Sequence, residues 1–331
     1  VGQGTNGEIK DTIGQRIDHV VKLIRGPKNT IVRLKIIPAE KASETKTIEI
    51  LRDKVKLEDQ LAKKERVEID HQGRRLAIGI ISVPAFYLDV TRDVQRLLTQ
   101  LKKEGIDGLI LDLRDNGGGS LPEARKMSGL FIKSGPVVQV RYKKQIRREY
   151  DEDPQIHYTG PLVVLINRMS ASASEILAGA IKDYNRGLVV GTRSFGKGTV
   201  QYLQRLGDGQ LKLTSAKFYR VSGESTQHRG VLPDIGYPQL YRVEDTGESS
   251  LETALPWDTV FKSFYHPYPS MALLQSRLRQ AYLDRIKDDP AIQYLQQRIA
   301  LAARISDQTQ VSLNLQRRRA LVPGQGPQGM H

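Results

Sequence analysis

The sequence predicts an α/β protein in which short apolar strands alternate with amphipathic helices. Three observations support this fold class. Apolar strands recur along the chain, as in residues 108–113 (GLILDL) and 161–166 (PLVVLI). Helical periodicity separates them, as in residues 89–104. With 331 residues, 39% of them hydrophobic and 27% charged, the chain is long enough for two or three domains with their own cores.

The first segment, residues 1–51, combines one predicted helix with two predicted strands. Residues 13–24 carry apolar side chains at helical spacing, and Gly26-Pro27 ends the helix. Residues 31–37 and 46–51 alternate apolar and polar residues, as strands do. Such a set is too small for an independent fold, so we expect the first half of this domain to lie upstream. The alternative is a self-standing cap on the next domain.

The rest of the chain divides into a connector, a core and a helical extension. Residues 52–75 are highly charged and predict a connector with some strand content. Residues 76–245 hold the alternating strands and helices of the α/β core, and residues 246–331 form the extension. Helical periodicity in the extension covers residues 271–286 and 291–305. Its Pro/Gly-rich end, residues 322–331, predicts disorder.

Composition excludes several classes of protein and site. The chain has no cysteine, which excludes disulfides, thiolate nucleophiles and cysteine-ligated zinc. No apolar run reaches the length of a membrane span, and the first residues do not resemble a signal peptide. The net charge of +14 would suit an anionic partner. However, the densest basic clusters, residues 141–148 and 317–319, lack interleaved aromatic residues, which favours solvated faces over nucleic-acid binding.

A serine cluster follows one of the apolar strands. Residues 170–174 read SASAS and precede a predicted helix over residues 174–184. A serine at this junction would lie beside helix N-terminal amides that can stabilise an oxyanion. The structural alternative is a capping box with Ser172 as N-cap and Glu175 reaching back. The spacing of this segment alone favours capping.

Lys197 shifts the balance towards catalysis. It stands between two glycines in the run FGKG, and glycines let a loop approach another segment closely. Burial would lower the pKa of the lysine amine and make it a competent general base. Gln201 would orient the amine without adding charge. No histidine lies in a nucleophile-like motif and no GxSxG or HExxH occurs, so a serine enzyme on this chain would use lysine as its base.

Two glycine-rich runs carry weaker signals. Residues 191–198 (GTRSFGKG) approach the phosphate-loop pattern, but Gly198 stands where Ser or Thr must bind magnesium, and a predicted strand follows instead of a helix. We therefore disfavour nucleotide binding. Residues 117–119 predict either a simple tight turn or a backbone N–H presented to an oxyanion.

The motifs together resemble one family, the carboxy-terminal processing proteases, and within it the tail-specific branch. Three runs carry the resemblance: residues 112–119 (DLRDNGGG), 170–176 (SASASEI) and 195–201 (FGKGTVQ). Residues 16–36 are in addition similar to the second half of a PDZ domain. The resemblance implies a crotonase-like core with a mixed sheet flanked by helices, a partial PDZ domain before it and a helical extension after it.

The resemblance also assigns roles to individual residues. It implies Ser172 as nucleophile, Lys197 as general base and Gln201 as the residue that orients the lysine. The oxyanion hole maps to the backbone N–H groups of Ala173 and of a glycine in residues 117–119, for which Gly118 is preferred. The mechanism requires no metal and no other cofactor.

The implied activity is endoproteolysis of proteins selected by their apolar C-terminal tails. The family implies a bacterial periplasmic or cell-envelope location, and it allows an adaptor lipoprotein and peripheral contact with a membrane. Nucleic acid is not an expected partner. The front half of the PDZ domain and an N-terminal helical domain are not in this sequence, which leaves substrate capture and gating open. The competing hypothesis is a non-catalytic, PDZ-type peptide-binding scaffold in which Ser172 only caps its helix.

Overall fold

The computed structural model describes residues 1–15, 17–38, 44–53, 60–143, 145–207, 209–239, 242, 246–307, 310 and 312–314 of the 331-residue chain. The chain divides into two compact units, Val1–Asp59 and Gln60–His331. The second unit alternates strands and helices, as the sequence predicts.

Among the described residues, the first unit contains an α-helix and a small antiparallel sheet. Its elements are β1 (Gly2–Gln3), α1 (Ile17–Ile24), β2 (Ile31–Ile36) and β3 (Lys46–Leu51). The strand order is β1–β2–β3, and the Arg52 side chain donates to the carbonyl of Ile24 at 2.7 Å, which ties the end of α1 to the end of β3. The predicted helix and both predicted strands are confirmed, although the described helix begins at Ile17.

A six-stranded mixed sheet lies at the centre of the second unit. In chain order the elements of this unit are β4 (Lys63–His71), β5 (Arg74–Ser82), α2 (Val90–Lys103), β6 (Gly108–Asp112), α3 (Leu121–Gly129), β7 (Pro136–Tyr142), β8 (Gln145–Tyr150), β9 (Leu162–Ile166), α4 (Ala173–Asp183), β10 (Leu188–Gly191), β11 (Thr199–Leu206), β12 (Gly209–Tyr219), β13 (Ile235–Gly236), α5 (Pro269–Ile286) and α6 (Pro290–Ser306). The order of the central sheet is β13–β10–β9–β6–β5–β4. All neighbouring pairs are parallel except β4–β5.

Helices α2 and α4 connect parallel neighbours of this sheet and bury apolar faces. Helix α2 joins β5 to β6, and α4 joins β9 to β10. Leu98 and Leu101 of α2, Leu111 of β6, Val164 of β9 and Ile181 of α4 are at most 1% exposed. Each such side chain contributes about 1.5–3 kcal/mol by leaving water. The buried core therefore fixes the positions of β6 and β9. The loops that follow the carboxyl ends of these two strands carry the candidate site.

A second, four-stranded antiparallel sheet has the order β11–β12–β7–β8. Strands β11 and β8 are its two edges. Strand β8 overlaps the basic cluster at residues 141–148, which we expected to be a solvated face. The cluster is exposed at residues 145–148, but it also forms a hairpin, because β8 pairs with β7.

The segment that we expected to be a connector contributes strands to the core sheet. Residues 63–71 form β4 and residue 74 begins β5, so the second unit starts at Gln60 and not at residue 76. Strand β4 is an edge strand, exposed or half-buried along its length. Charged side chains are common on such edges, which explains why the segment lacks the apolar pattern of a strand.

The two predicted C-terminal helices are present as α5 and α6. Tyr282 of α5 is 4% exposed and packs with Leu188, Val190 and Ile235 at the edge of the central sheet. Helix α6 buries none of its residues. The tail at residues 322–331 lies outside the described residues. No described helix combines the length and the apolar character that crossing a membrane requires.

Candidate active site

The turn that precedes helix α4 holds Ser172 in a strained backbone conformation. Strand β9 ends at Ile166, and the chain turns through residues 167–172 before α4 begins at Ala173. Ser172 has φ 56° and ψ −110°, a region that residues other than glycine rarely adopt. Such strain costs about 1–3 kcal/mol and concentrates at functional sites. The turn resembles the strained strand-to-helix turn that presents a serine nucleophile, although GxSxG is absent.

The middle serine of the cluster lines a cleft, whereas its neighbours are buried. Ser170 and Ser174 are fully buried. Their hydroxyls donate to the carbonyls of Leu113 at 2.8 Å and Asn116 at 2.9 Å. Ser172 is half-buried and lines a cleft of about 610 Å³. The outer serines therefore fasten the turn to the loop after β6, and Ser172 is the serine that a ligand in the cleft can reach.

The glycines on either side of Lys197 let its loop pack against a neighbouring loop. Gly196 has φ 93°, and a Cβ there would lie 2.9 Å from the carbonyl carbon of His228. A Cβ on Gly198 would lie 2.8 Å from a backbone nitrogen of the same loop. The close approach that we expected from this glycine pair is present. It leaves Lys197 half-buried and lining the same cleft as Ser172.

The surroundings of Lys197 lower the pKa of its amine. Lys197 Nζ donates to Gln201 Oε1 on β11 at 3.0 Å. Burial lowers the pKa of the Lys197 amine from its ordinary value, and the positive charge of Lys212 on β12 lowers the pKa further. The carboxyl groups of Glu248 and Glu175 oppose this shift. The net direction is the one that a lysine needs to act as a general base.

Glu175 joins the serine turn to the lysine loop through a buried carboxylate. Oε2 accepts the backbone N–H of Ser172 at 2.8 Å and that of Lys197 at 2.9 Å. Oε1 accepts the Ser194 hydroxyl at 2.6 Å and the Gly196 N–H at 2.7 Å. Burial raises the pKa of this carboxyl to about 7, and the four donors oppose the rise. The predicted contact of Glu175 with the Ser172 backbone is present, but the same carboxylate also fixes the lysine loop.

Helix α4 offers an unused backbone donor beside Ser172. The N–H of Ala173 donates to no residue that the structure describes. Gly118 packs against it, because a Cβ on Gly118 would lie 3.1 Å from Ala173 N and 2.9 Å from Ser172 Cβ. We expected the Gly118 N–H to be the second oxyanion donor, but it donates to Asn116 Oδ1 at 2.9 Å. Since a peptide N–H has one proton, this conformation does not offer it to a substrate.

Four apolar side chains line part of the cleft. Leu121 of α3, Ile176 of α4, Val200 of β11 and Phe218 of β12 line it together with Ser172. Ile176 is 4% exposed and Phe218 is 1% exposed, so these walls are fixed by the core beneath them. A cleft of this composition suits an apolar side chain held next to the serine.

Two amides that the sequence analysis did not single out hold the loops of the site together. The buried Asn116 donates to the carbonyl of Val83 at 2.8 Å. The buried Gln227 accepts the Gly198 N–H at 2.8 Å and donates to Glu248 at 3.0 Å. Val83 is 33 positions from Asn116, whereas Gly198 and Glu248 are 29 and 21 positions from Gln227. The one local signal is that Asn116 precedes a glycine, which is typical of a turn.

The structure also bears on the nucleotide alternative. Strand β11 begins at Thr199, two residues after Lys197. A phosphate loop instead delivers its backbone N–H groups from the start of a helix. The geometry after Lys197 therefore disfavours phosphate binding.

Two protein-family models match the chain. Residues 77–237 match the model of peptidase family S41, and residues 241–322 match that of the C-terminal domain of tail-specific proteases. The first match contains the serine turn, the lysine loop and the glycine loop.

Curated relatives are similar over two thirds or more of the chain. The tail-specific protease of Haemophilus influenzae is 41% identical over 97% of this chain and 47% of the relative. A probable CtpA-like serine protease of Staphylococcus epidermidis is 34% identical over 67% of this chain and 44% of the relative. The chain thus spans about half the length of the curated relatives it matches.

A solved structure shares the fold. The photosystem II D1 C-terminal processing protease matches with a TM-score of 0.52 and 32% identity. The match covers 67% of this chain and 59% of that protein.

Proposed function

The chain belongs to peptidase family S41 through residues 77–237, and from this premise we propose that it carries the catalytic site of a serine endopeptidase with a serine/lysine dyad. Ser172 is the proposed nucleophile, Lys197 the general base and Gln201 the residue that orients the lysine amine. The observation that carries the proposal is that Ser172 and Lys197 line one cleft while the Glu175 carboxylate binds the backbone N–H of both.

The acylation step follows from these positions. The neutral amine of Lys197 takes the proton of Ser172 Oγ as that oxygen attacks the carbonyl carbon of the scissile peptide bond. Negative charge then develops on the carbonyl oxygen, and the N–H of Ala173 donates to it. The Lys197 ammonium next protonates the leaving amine, so the C–N bond breaks and an acyl-enzyme remains. Deacylation repeats the sequence, with water as the nucleophile and Lys197 again as its base.

The second oxyanion donor is proposed to come from residues 117–119. Gly118 contacts Ser172 and Ala173 closely enough for this role. Its N–H would first have to leave Asn116 Oδ1, to which it donates at 2.9 Å. In that case substrate binding and release of this hydrogen bond are coupled.

Substrate selection by apolar C-terminal tails is part of the proposal. The apolar side chains of Leu121, Ile176, Val200 and Phe218 in the cleft lining support a preference for apolar side chains at the cleaved bond. The helix and three-stranded sheet of the first unit support a partial PDZ domain, a fold that captures chain termini. The mixed sheet flanked by helices in the second unit supports a crotonase-like core.

The location and the partners are also proposals. The similarity to bacterial tail-specific proteases supports a periplasmic or cell-envelope protein that acts on protein substrates. An adaptor lipoprotein remains a proposed partner on the family resemblance alone. The C-terminal extension that begins at residue 246 and contains helices α5 and α6 is its proposed contact surface.

Degradation of an unfolded protein with an apolar C-terminus tests the proposal, beside a copy that ends in two aspartates. We expect the wild type to degrade the first copy faster. Ser172→Ala, Lys197→Ala and Lys197→Arg should each abolish degradation while remaining folded by circular dichroism. If Ser172→Ala still cuts, Ser172 only caps α4 and the dyad assignment fails. If both copies are cut at equal rates, the dyad stands and tail selection fails.

A further inference from the structure

A second depression lies against the opposite face of strand β8 from the catalytic cleft. We call it the basic groove; its lining residues include Lys133, Arg148, Tyr150, Lys262, Phe264 and Tyr265. Arg148 and Tyr150 of β8 line the groove, whereas Glu149 between them lines the catalytic cleft. Because successive side chains of a strand point to opposite faces, the two depressions share β8 as a wall. The groove has a volume of about 710 Å³, within the range of about 300–1,000 Å³ usual for ligand sites.

The groove carries uncompensated positive charge. Lys133, Arg148 and Lys262 line it and are exposed, and none of the described residues that line it is a carboxylate. Within the described part of the chain, none of these three cations forms an ion pair. Lys262 instead lies over the ring of Tyr265, 5.2 Å from its centroid. A concave wall with charge of one sign attracts ligands of the opposite sign.

The groove also presents an exposed aromatic ring on a fixed segment. Phe264 is 82% exposed. The backbone around it is held by hydrogen bonds from Val260 N to Gly223 O at 2.9 Å and from Ser263 N to Val221 O at 2.9 Å. Because this backbone is already ordered, contact of a partner with Phe264 costs little further backbone entropy. Exposed aromatic side chains of this kind are frequent anchors in protein interfaces.

We propose that the basic groove docks a segment of a partner protein in which acidic and apolar residues alternate. The acidic side chains would pair with Lys133, Arg148 and Lys262, and an apolar side chain would pack against Phe264.

Concavity favours a peptide over a membrane surface as the occupant. Phe261 lies on the same segment as Phe264 and is 90% exposed, but it does not line the groove. A membrane would bury both phenylalanine rings, whereas a peptide in the groove contacts Phe264 alone. Substituting Phe261 and Phe264 separately therefore distinguishes membrane binding from peptide binding.

Fluorescence anisotropy with a short labelled peptide that alternates Glu with Leu tests the proposal. The full chain carries Ser172→Ala so that the peptide stays intact, and unlabelled neutral peptide is added to fill the catalytic cleft. We expect Arg148→Glu and Phe264→Ala each to weaken binding by about tenfold. Phe261→Ala and Arg279→Glu, which alter residues outside the groove, should leave Kd unchanged. A matched peptide with Gln in place of Glu should bind about tenfold more weakly.

Three results would overturn the proposal. The first is that Arg279→Glu weakens binding as much as Arg148→Glu, since the peptide would then respond only to net charge. The second is binding to phosphatidylglycerol vesicles that both phenylalanine variants reduce, without binding of the peptide, which would identify a membrane surface. The third is the absence of saturable peptide binding.

Discussion

Replacing Glu175 by Gln perturbs the one side chain that contacts both catalytic segments. The Glu175 carboxylate accepts the backbone N–H of Ser172 and of Lys197, and it also accepts the Ser194 hydroxyl and the Gly196 N–H. In Glu175→Gln the shape is kept while one oxygen becomes an NH₂ group. Two of the four donors then face a donor. We expect the backbones of Ser172 and Lys197 to shift relative to each other.

The expected loss of activity exceeds the expected loss of stability. A buried donor without an acceptor costs about 1–3 kcal/mol, and two such donors result. The variant also removes a buried charge, whose cost above pH 7 is about 3 kcal/mol, because burial raises the pKa from 4.5 to about 7. The two contributions offset, so we expect the unfolding free energy to change by less than about 3 kcal/mol. A displacement of about 1 Å between reacting groups costs about 100-fold in rate. Removing the buried charge offsets the loss of stability but does not restore this geometry.

The assay measures kcat/KM on a peptide substrate and the unfolding free energy of the same preparations. We expect kcat/KM to fall about 100-fold in Glu175→Gln. The folded-state pKa of Glu175 lies above its unfolded value, so its contribution to stability is present below pH 4.5 and is lost as the pH rises through about 7. The variant should therefore gain stability relative to the wild type between pH 5 and pH 8.

Glu123→Gln is the matched control. Glu123 is also a buried carboxylate near the start of a helix, and it accepts the backbone N–H and the hydroxyl of Thr91 at 3.0 and 2.7 Å. We expect this control to keep wild-type kcat/KM. The reasoning about Glu175 is refuted if Glu175→Gln retains wild-type kcat/KM, or if both variants lose activity to the same extent.

Three further substitutions follow from the geometry of the site. Gly118→Ala should abolish activity, because its φ is 101° and the new Cβ would lie 2.7 Å from the Ala171 carbonyl oxygen; circular dichroism would separate local from global loss. Lys212→Gln should raise the Lys197 pKa, so the acid limb of the kcat/KM profile moves to higher pH, whereas Lys212→Arg should leave it in place. Gln201→Ala should lower kcat about tenfold and leave KM unchanged, because it removes the 3.0 Å bond that orients the amine.

The local elements could be predicted because their signals are local. Helices α2 and α4 bury apolar faces, which gives their sequences apolar periodicity. Strands β6 and β9 lie inside the central sheet, which gives them continuous apolar runs. Strand β4 was anticipated only as strand content in a connector, and β8 was not predicted, since both are exposed edges where charged side chains replace the apolar pattern. Each of the two pairs with the strand next to it in sequence, β5 for β4 and β7 for β8, so the missing signal is the apolar pattern and not a distant partner.

The candidate site was predictable in part for the same reason. The spacing of Ser172 and Glu175 suggested their contact, and the glycines around Lys197 suggested a close loop approach. The bond from Glu175 to the Lys197 N–H spans 22 positions and has no local signal. The bond that occupies the Gly118 N–H depends on the rotamer of Asn116, which a sequence does not determine.

Covalent labelling by a fluorophosphonate tests the central claim most directly, namely that Lys197 activates Ser172. The wild type, Lys197→Ala and Lys197→Arg are treated in parallel, and mass spectrometry locates the modified residue. We predict a single label on Ser172 in the wild type and no label in either lysine variant at the same exposure. A label on another residue, or labelling of Ser172 at the wild-type rate in Lys197→Ala, would contradict the account.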